Sequence, residues 1–204
     1  MGASLRLPAL GLLLTVGCSD VDGDGHDHDH EGEVITTVEL TFASQSGGSP
    51  SGFTWSDAEA NANPVVDVIT LVDGEVYDVA VTFSNELEDP VEPITPEIAD
   101  ESEEHQIFFT GSAVQGLATG ANASAVIDHA YADSDNDGLP IGLENTVSTL
   151  GTGSGELTVT LRHLPPEDGS AVKVQGLAER VASDGFGSIG GDNDVSITFD
   201  LEVQ

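Results

Sequence analysis

Basic side chains are almost missing from this sequence: Lys and Arg number four, against 37 Asp and Glu. A chain this anionic repels phosphate backbones and anionic lipid headgroups, which excludes nucleic acid as a partner. Cysteine occurs once, at Cys18, so no disulfide can form within the chain. Long apolar runs are missing too. The segment Leu7–Val16 falls well short of the roughly 20 residues a membrane-spanning helix needs. There is no G-x-S-x-G elbow, no H-E-x-x-H and no glycine motif cradling a phosphate ahead of a helix. Beyond the leader only Arg162, Lys173 and Arg180 could hold an anionic substrate. These absences argue against an enzyme.

What is present begins with an address. One positive charge in Met1–Arg6, the short apolar run and small residues before Cys18 make residues 1–17 a secretory signal. The segment "LLLTVGC" resembles a bacterial lipobox, with Thr15 where the pattern prefers Leu. The resemblance implies that Cys18 becomes a lipid-modified N-terminus. Several acyl chains, each buried CH₂ contributing about 0.8 kcal/mol, would hold the protein to a membrane. The expected location is the bacterial cell envelope, with the outer membrane as the anchoring surface.

Residues 18–33 are Asp, Gly, His and Glu with almost nothing apolar. Such a segment cannot bury enough surface to offset its backbone entropy, so a disordered tether is expected. Within it His26, His28 and His30 alternate with acids. In an extended chain these side chains point the same way and can converge on one cation. Imidazole suits Zn or Cu. Ordering about five residues costs roughly 5–10 kcal/mol, against about 10–16 kcal/mol for a well-built zinc site. The balance describes a weak, exchangeable site. Low-complexity drift in a solvated tether accounts for the same composition.

From Val34 onward the pattern has a period of two. In "EVITTVELTF" Val34, Val38, Leu40 and Phe42 share a face, and in "DVSITFDLEVQ" Val195, Ile197, Phe199, Leu201 and Val203 do. "HQIFFTG", "SAVIDHAYA", "IGLENTVSTL" and "GELTVTLRHL" read as further strands. Asp73-Gly74 between two β-branched runs predicts a hairpin. One stretch reads as helix, with Thr95 as cap, Pro96 in the first turn and acids following. Residues 34–204 are therefore expected to form an all-β domain, a single antiparallel β-sandwich of immunoglobulin-like type with one short helix.

"DSDNDGLPIGLE" fits the D-x-D-x-D-G-x₅-E calcium pattern, with Asp133, Asp135, Asp137 and Glu144 as oxygen donors and Gly138 at the turn. Over this dozen residues it resembles the loops of thrombospondin-type-3 calcium repeats. The tether stretch "DVDGDGHDHDHE" fits the same template, so so acidic a chain generates matches by composition. The competing reading is a turn around Asn136-Asp137-Gly138 joining two strands.

Three further histidines lie on strands. His129 shares a face with Ile127 and Tyr131, and His163 with Leu157, Val159 and Leu161, while His105 opens "HQIFF". Each reads first as a histidine satisfied by its neighbours. A sharper arrangement joins His105 and His163 with Glu103 or Glu104 in one surface site.

The segments "EGEVITTVELTF", "ADESEEHQIFFTGS", "YADSDNDGLPIGL" and "GTGSGELTVTLRHLP" resemble those of small, poorly characterised bacterial envelope lipoproteins, which share E-x-V-I-T-T-V, E-E-H-Q-x-F-F and L-R-H-x-P motifs. The resemblance implies a lipoprotein, marks His105 and His163, and carries no activity with it. Two functions remain open. One is a lipid-anchored protein that captures a divalent transition metal, working with an outer-membrane receptor or transporter. The other is a structural or adhesive surface module, stabilised by calcium or by nothing specific.

Overall fold

The computed structural model describes Met1 and residues 33–204; the leader, Cys18 and His26, His28 and His30 lie outside the described residues. From Glu33 onward the described chain belongs to one unit.

Twelve strands carry the alternating segments: β1 (Thr37–Ser44), β2 (Ser51–Ser56), β3 (Val65–Val66), β4 (Ile69–Leu71), β5 (Val76–Asn85), β6 (Glu92–Pro93), β7 (His105–Thr110), β8 (Val114–Gly116), β9 (Ile127–Tyr131), β10 (Glu144–Thr149), β11 (Gly153–His163) and β12 (Asp192–Val203). The first sheet runs β3-β2-β1-β5-β10-β9-β8, with β6 on the end of β5. The second runs β4-β12-β11-β7. The architecture is all-β in kind, and both sheets feed one buried cluster. Val38, Leu40 and Phe42 of β1 belong to it from the first sheet, and Ile107, Leu157 and Phe199 from the second. Each such side chain contributes about 1.5–3 kcal/mol by leaving water.

Three expectations need correction. The sheets are not wholly antiparallel, because β4 runs parallel to β12 and β8 parallel to β9. Asp73-Gly74 does not close a hairpin either: the chain crosses there from β4 in the second sheet to β5 in the first. Both edges of β5 are taken by β1 and β10, so β4 has nowhere to pair on it. Beside β12 instead, Ile69 and Leu71 register with Leu201 and Val203, and all four are buried.

The third correction concerns helices, of which there are two among the described residues. In α1 (Thr95–Asp100) Pro96 sits in the first turn as expected. Thr95 is not the cap, however, because its hydroxyl accepts from the Phe83 amide at 2.8 Å and so ties the helix to β5. A 3₁₀ turn, Ser102–Glu104, then leads directly into β7. The second helix, α2 (Leu177–Asp184), lies between glycines in "QGLAERVASDG". It buries Leu177, Ala178 and Val181 against Phe108 and Leu164. That contact covers the outer face of β7, while at its outer edge the Ile107 amide donates to the Ile141 carbonyl and the Ile107 carbonyl accepts from the Tyr131 hydroxyl.

Candidate metal centre

Strand register brings the two histidines of interest together. In the β7–β11 pairing His163 lies directly opposite His105, and Leu161 opposite Ile107. The period of two therefore puts both imidazoles on the core-facing side, at the end of the sheet where the apolar side chains run out. Their rings stack with centroids 4.7 Å apart and planes within 8°. This is the pair the sequence singled out, but not a surface site. His105 is 1% exposed, and the His163 side chain is 21% exposed.

The acids come from the turn preceding β7. Glu101 ends α1, four residues before His105, and its carbonyl oxygen accepts from His105 Nδ1 at 3.2 Å. One ligand atom each from Glu101, His105 and His163 lies within 4.8 Å of the other two. Of the two glutamates expected here, Glu104 places Oε2 3.8 Å from His163 Nε2. Glu103 is turned away, accepting a 2.7 Å hydrogen bond from Asn136 in the acidic loop. Glu101 was not foreseen, although its i, i+4 spacing to His105 across a helical turn was the available signal.

Asp194 completes the surroundings from β12. Pairing of β11 with β12 slips by one residue between Leu161 and Arg162: Leu161 faces Val195, while Arg162 already faces Asn193. Asp194 is the extra residue of a β-bulge, and such a bulge re-aims a side chain. Its side chain is 3% exposed, with Oδ2 3.7 Å from His105 Nε2. The backbone approaches closely just before it. Gly191 has φ +73°, and a Cβ there would collide with the His163 carbonyl oxygen. Only glycine lets β12 start so near β11. On the opposite face Arg162 fixes the same segment, donating to Asn193 Oδ1 at 2.8 Å and to the Gly190 carbonyl at 2.9 Å.

The electrostatics follow from burial. Desolvation pushes the His105 imidazole down to about 4, beyond what the Glu101 carbonyl restores, and His163 and Lys173 push the same way. His105 is thus neutral at pH 7. Since a carbonyl can only accept, Nδ1 carries the hydrogen and Nε2 offers a lone pair. Burial also raises the Asp194 carboxyl to about 6, with His163 working against the rise. Glu33, the last residue of the expected tether, is half-buried. Burial, then the charges of Glu97, Asp194, Glu101 and Glu92, raise it to about 7. Glu33 therefore lies beside an anionic cluster. Two imidazoles with carboxylates suit a borderline divalent cation such as zinc or copper.

The acidic loop is arranged differently. It joins β9 to β10 as an antiparallel connection, in keeping with the turn reading. Asp133 accepts from the amides of Gly142, Leu143 and Glu144 at 2.7, 2.8 and 2.9 Å. Asp135 Oδ1 accepts from the amides of Asp137 and Leu139, and Oδ2 lies 2.7 Å from Lys173 Nζ. Asp137 and Glu144 are exposed. Among the described residues these four do not gather into a ligand group as Glu101, His105 and His163 do. His129 is buried and satisfied on one side, with Nε2 2.9 Å from Asn145 Oδ1. No helix among the described residues is long and apolar enough to cross a membrane. No protein-family model matches this chain, and no curated protein or solved structure matches it either.

Proposed function

We propose that this is a lipid-anchored cell-envelope protein that binds a divalent transition metal, zinc or copper, and does not act as an enzyme. Glu101, His105 and His163 form its folded site, and His26, His28 and His30 form an outer capture arm. Lipid on Cys18 is the anchor, and an outer-membrane receptor or transporter is the partner to which the metal passes. The observation carrying this reading is the gathering of two imidazoles and a carboxylate within 4.8 Å. Magnitude favours the folded site as the tighter one. The tether must lose roughly 1–2 kcal/mol of backbone entropy per residue to bind, whereas strand pairing already holds His105 against His163. We read the two sheets as the layers of a sandwich, an arrangement supported by their shared apolar cluster.

Calorimetric titration of the full chain with Zn²⁺ and Cu²⁺ tests the reading. Replacing His26, His28 and His30 by Ala should remove weak equivalents and leave one tight equivalent. Combining His163→Ala with Glu101→Gln should weaken that equivalent at least 100-fold. Titrations identical across all three proteins would leave the structural or adhesive module as the answer. The anchor is separable: Cys18→Ala should move the protein from the membrane fraction to the soluble one.

A further inference from the structure

We infer that Asp194 is a fourth ligand, making the centre a closed, four-donor site for a d-block divalent cation that ties β12 to β7 and β11. The inference rests on the metal-site reading above and extends it to a residue on a third strand.

The argument begins with two atoms. His105 Nε2 and Asp194 Oδ2 lie 3.7 Å apart, too far for a hydrogen bond. Both are buried, and neither has a hydrogen-bond partner among the described residues. The hydrogen of His105 sits on Nδ1, toward the Glu101 carbonyl. What faces the carboxylate is therefore a lone pair. Two buried acceptors pointing at each other are unfavourable unless something positive lies between them. Histidine ligands ordinarily donate their second ring N–H to a carbonyl or carboxylate, as His105 does.

The separation fits a metal. Arms of about 2.1 Å, the usual zinc–nitrogen and zinc–oxygen lengths, reach two atoms 3.7 Å apart at an angle of about 120°, within some 15° of tetrahedral. His163 stacks beside His105, and Glu101 closes the side toward α1. The ligand atoms of Glu101, His105 and His163 lie within 4.8 Å of one another and Asp194 stands outside that group, so its carboxylate must turn toward them to meet the same cation; the donor set is then two imidazoles and two carboxylates. Four protein donors with no open position describe a site that holds a cation rather than one that activates water.

The backbone supports the same conclusion. Undistorted alternation would send Asp194 outward, because Val195, Ile197 and Phe199 take the inward positions on the other side of it. The bulge turns it in, at the one register break in the β11–β12 ladder. A carboxylate buried by a break in the ladder, opposite a bare imidazole nitrogen, is placed for a cation.

The test uses the full chain with His26, His28 and His30 replaced by Ala, so that the tether does not compete. Zn²⁺ affinity is measured against a chromophoric chelator, and thermal unfolding is followed with Zn²⁺ and with chelator. Asp194→Asn keeps the shape and removes the charge. It should lower Zn²⁺ affinity at least tenfold and shrink the zinc-induced rise in Tm, while the metal-free Tm stays level or rises. Zinc-edge X-ray absorption should lose one oxygen donor and keep both imidazoles. A structural role for Asp194 predicts the reverse, a lower metal-free Tm with unchanged Zn²⁺ affinity and an unchanged first shell. That result would overturn the inference. If His163→Ala abolishes binding while Asp194→Asn does not, only the fourth ligand is wrong. If the parent protein binds no zinc, the metal-site reading fails, and this inference with it.

Discussion

Lys173 Nζ lies 2.7 Å from Asp135 Oδ2, and the two side chains are each 1% exposed. The same ammonium donates to the Ser102 carbonyl at 2.7 Å. One buried cation thus ties the acidic loop to the turn that leads into His105. The loop has the spacing of a calcium site, but the positive charge it takes up is its own lysine. Burial works to raise the Asp135 carboxyl, yet the Lys173 bond and the Leu139 and Asp137 amides outweigh it and hold it below the usual carboxylate range.

Removing this lysine should be costly. Lys173→Met leaves a buried carboxylate uncompensated, a change that typically destabilises by roughly 3–5 kcal/mol. Adding Asp135→Asn should recover part of the loss, since the stranded charge goes while the acceptor for the two amides stays. Urea unfolding of the two single variants and the double variant gives the coupling. In the wild-type protein Ca²⁺ should leave the midpoint where chelator puts it, because Asp133 and Asp135 already hold five amides and an ammonium between them. Additive single and double variants, or a clear calcium shift, would refute this account.

Much of the frame was legible in the sequence. The inward faces of β11 and β12 are the ones alternation picks out, and His163 does lie with Leu157, Val159 and Leu161. What alternation cannot supply is a partner. The Asp73-Gly74 signal pairs the run holding Ile69 and Leu71 with β5, when those residues lie on β12. Alternation also fails where the period breaks, and so hides Asp194, whose burial depends on an extra residue in the ladder. The helix α2 escaped notice because eight residues hold barely two turns of the 3.6 period. The sequence offers Lys173 only as a charge that could hold an anionic substrate, since no local pattern announces a contact with Ser102 71 residues away.

His129 makes the domain sensitive to acid. Its ring is 4% exposed, stacked on Phe109 at 4.2 Å. Asn145 Nδ2 donates to the Gly142 carbonyl, so its Oδ1 accepts and the hydrogen of His129 sits on Nε2. Burial lowers this imidazole to about 4, further than Asn145, Asp128 and Asp133 can restore. An unfolded histidine takes up its proton near 6.5. Between those values the unfolded chain binds one proton more, so stability falls as pH drops, by about 3 kcal/mol in all. His105 acts in the same direction, but its neighbour Asp194 opposes it. A folded carboxyl at about 6 binds its proton before the unfolded one does, and so gains stability on acidification. His129 has no such counterweight. In metal-free buffer, His129→Gln should flatten the urea-derived stability curve between pH 6 and 4 by about one proton, or some 1.4 kcal/mol per pH unit. Parallel curves for wild type and variant would mean that His129 already carries its proton in the folded protein.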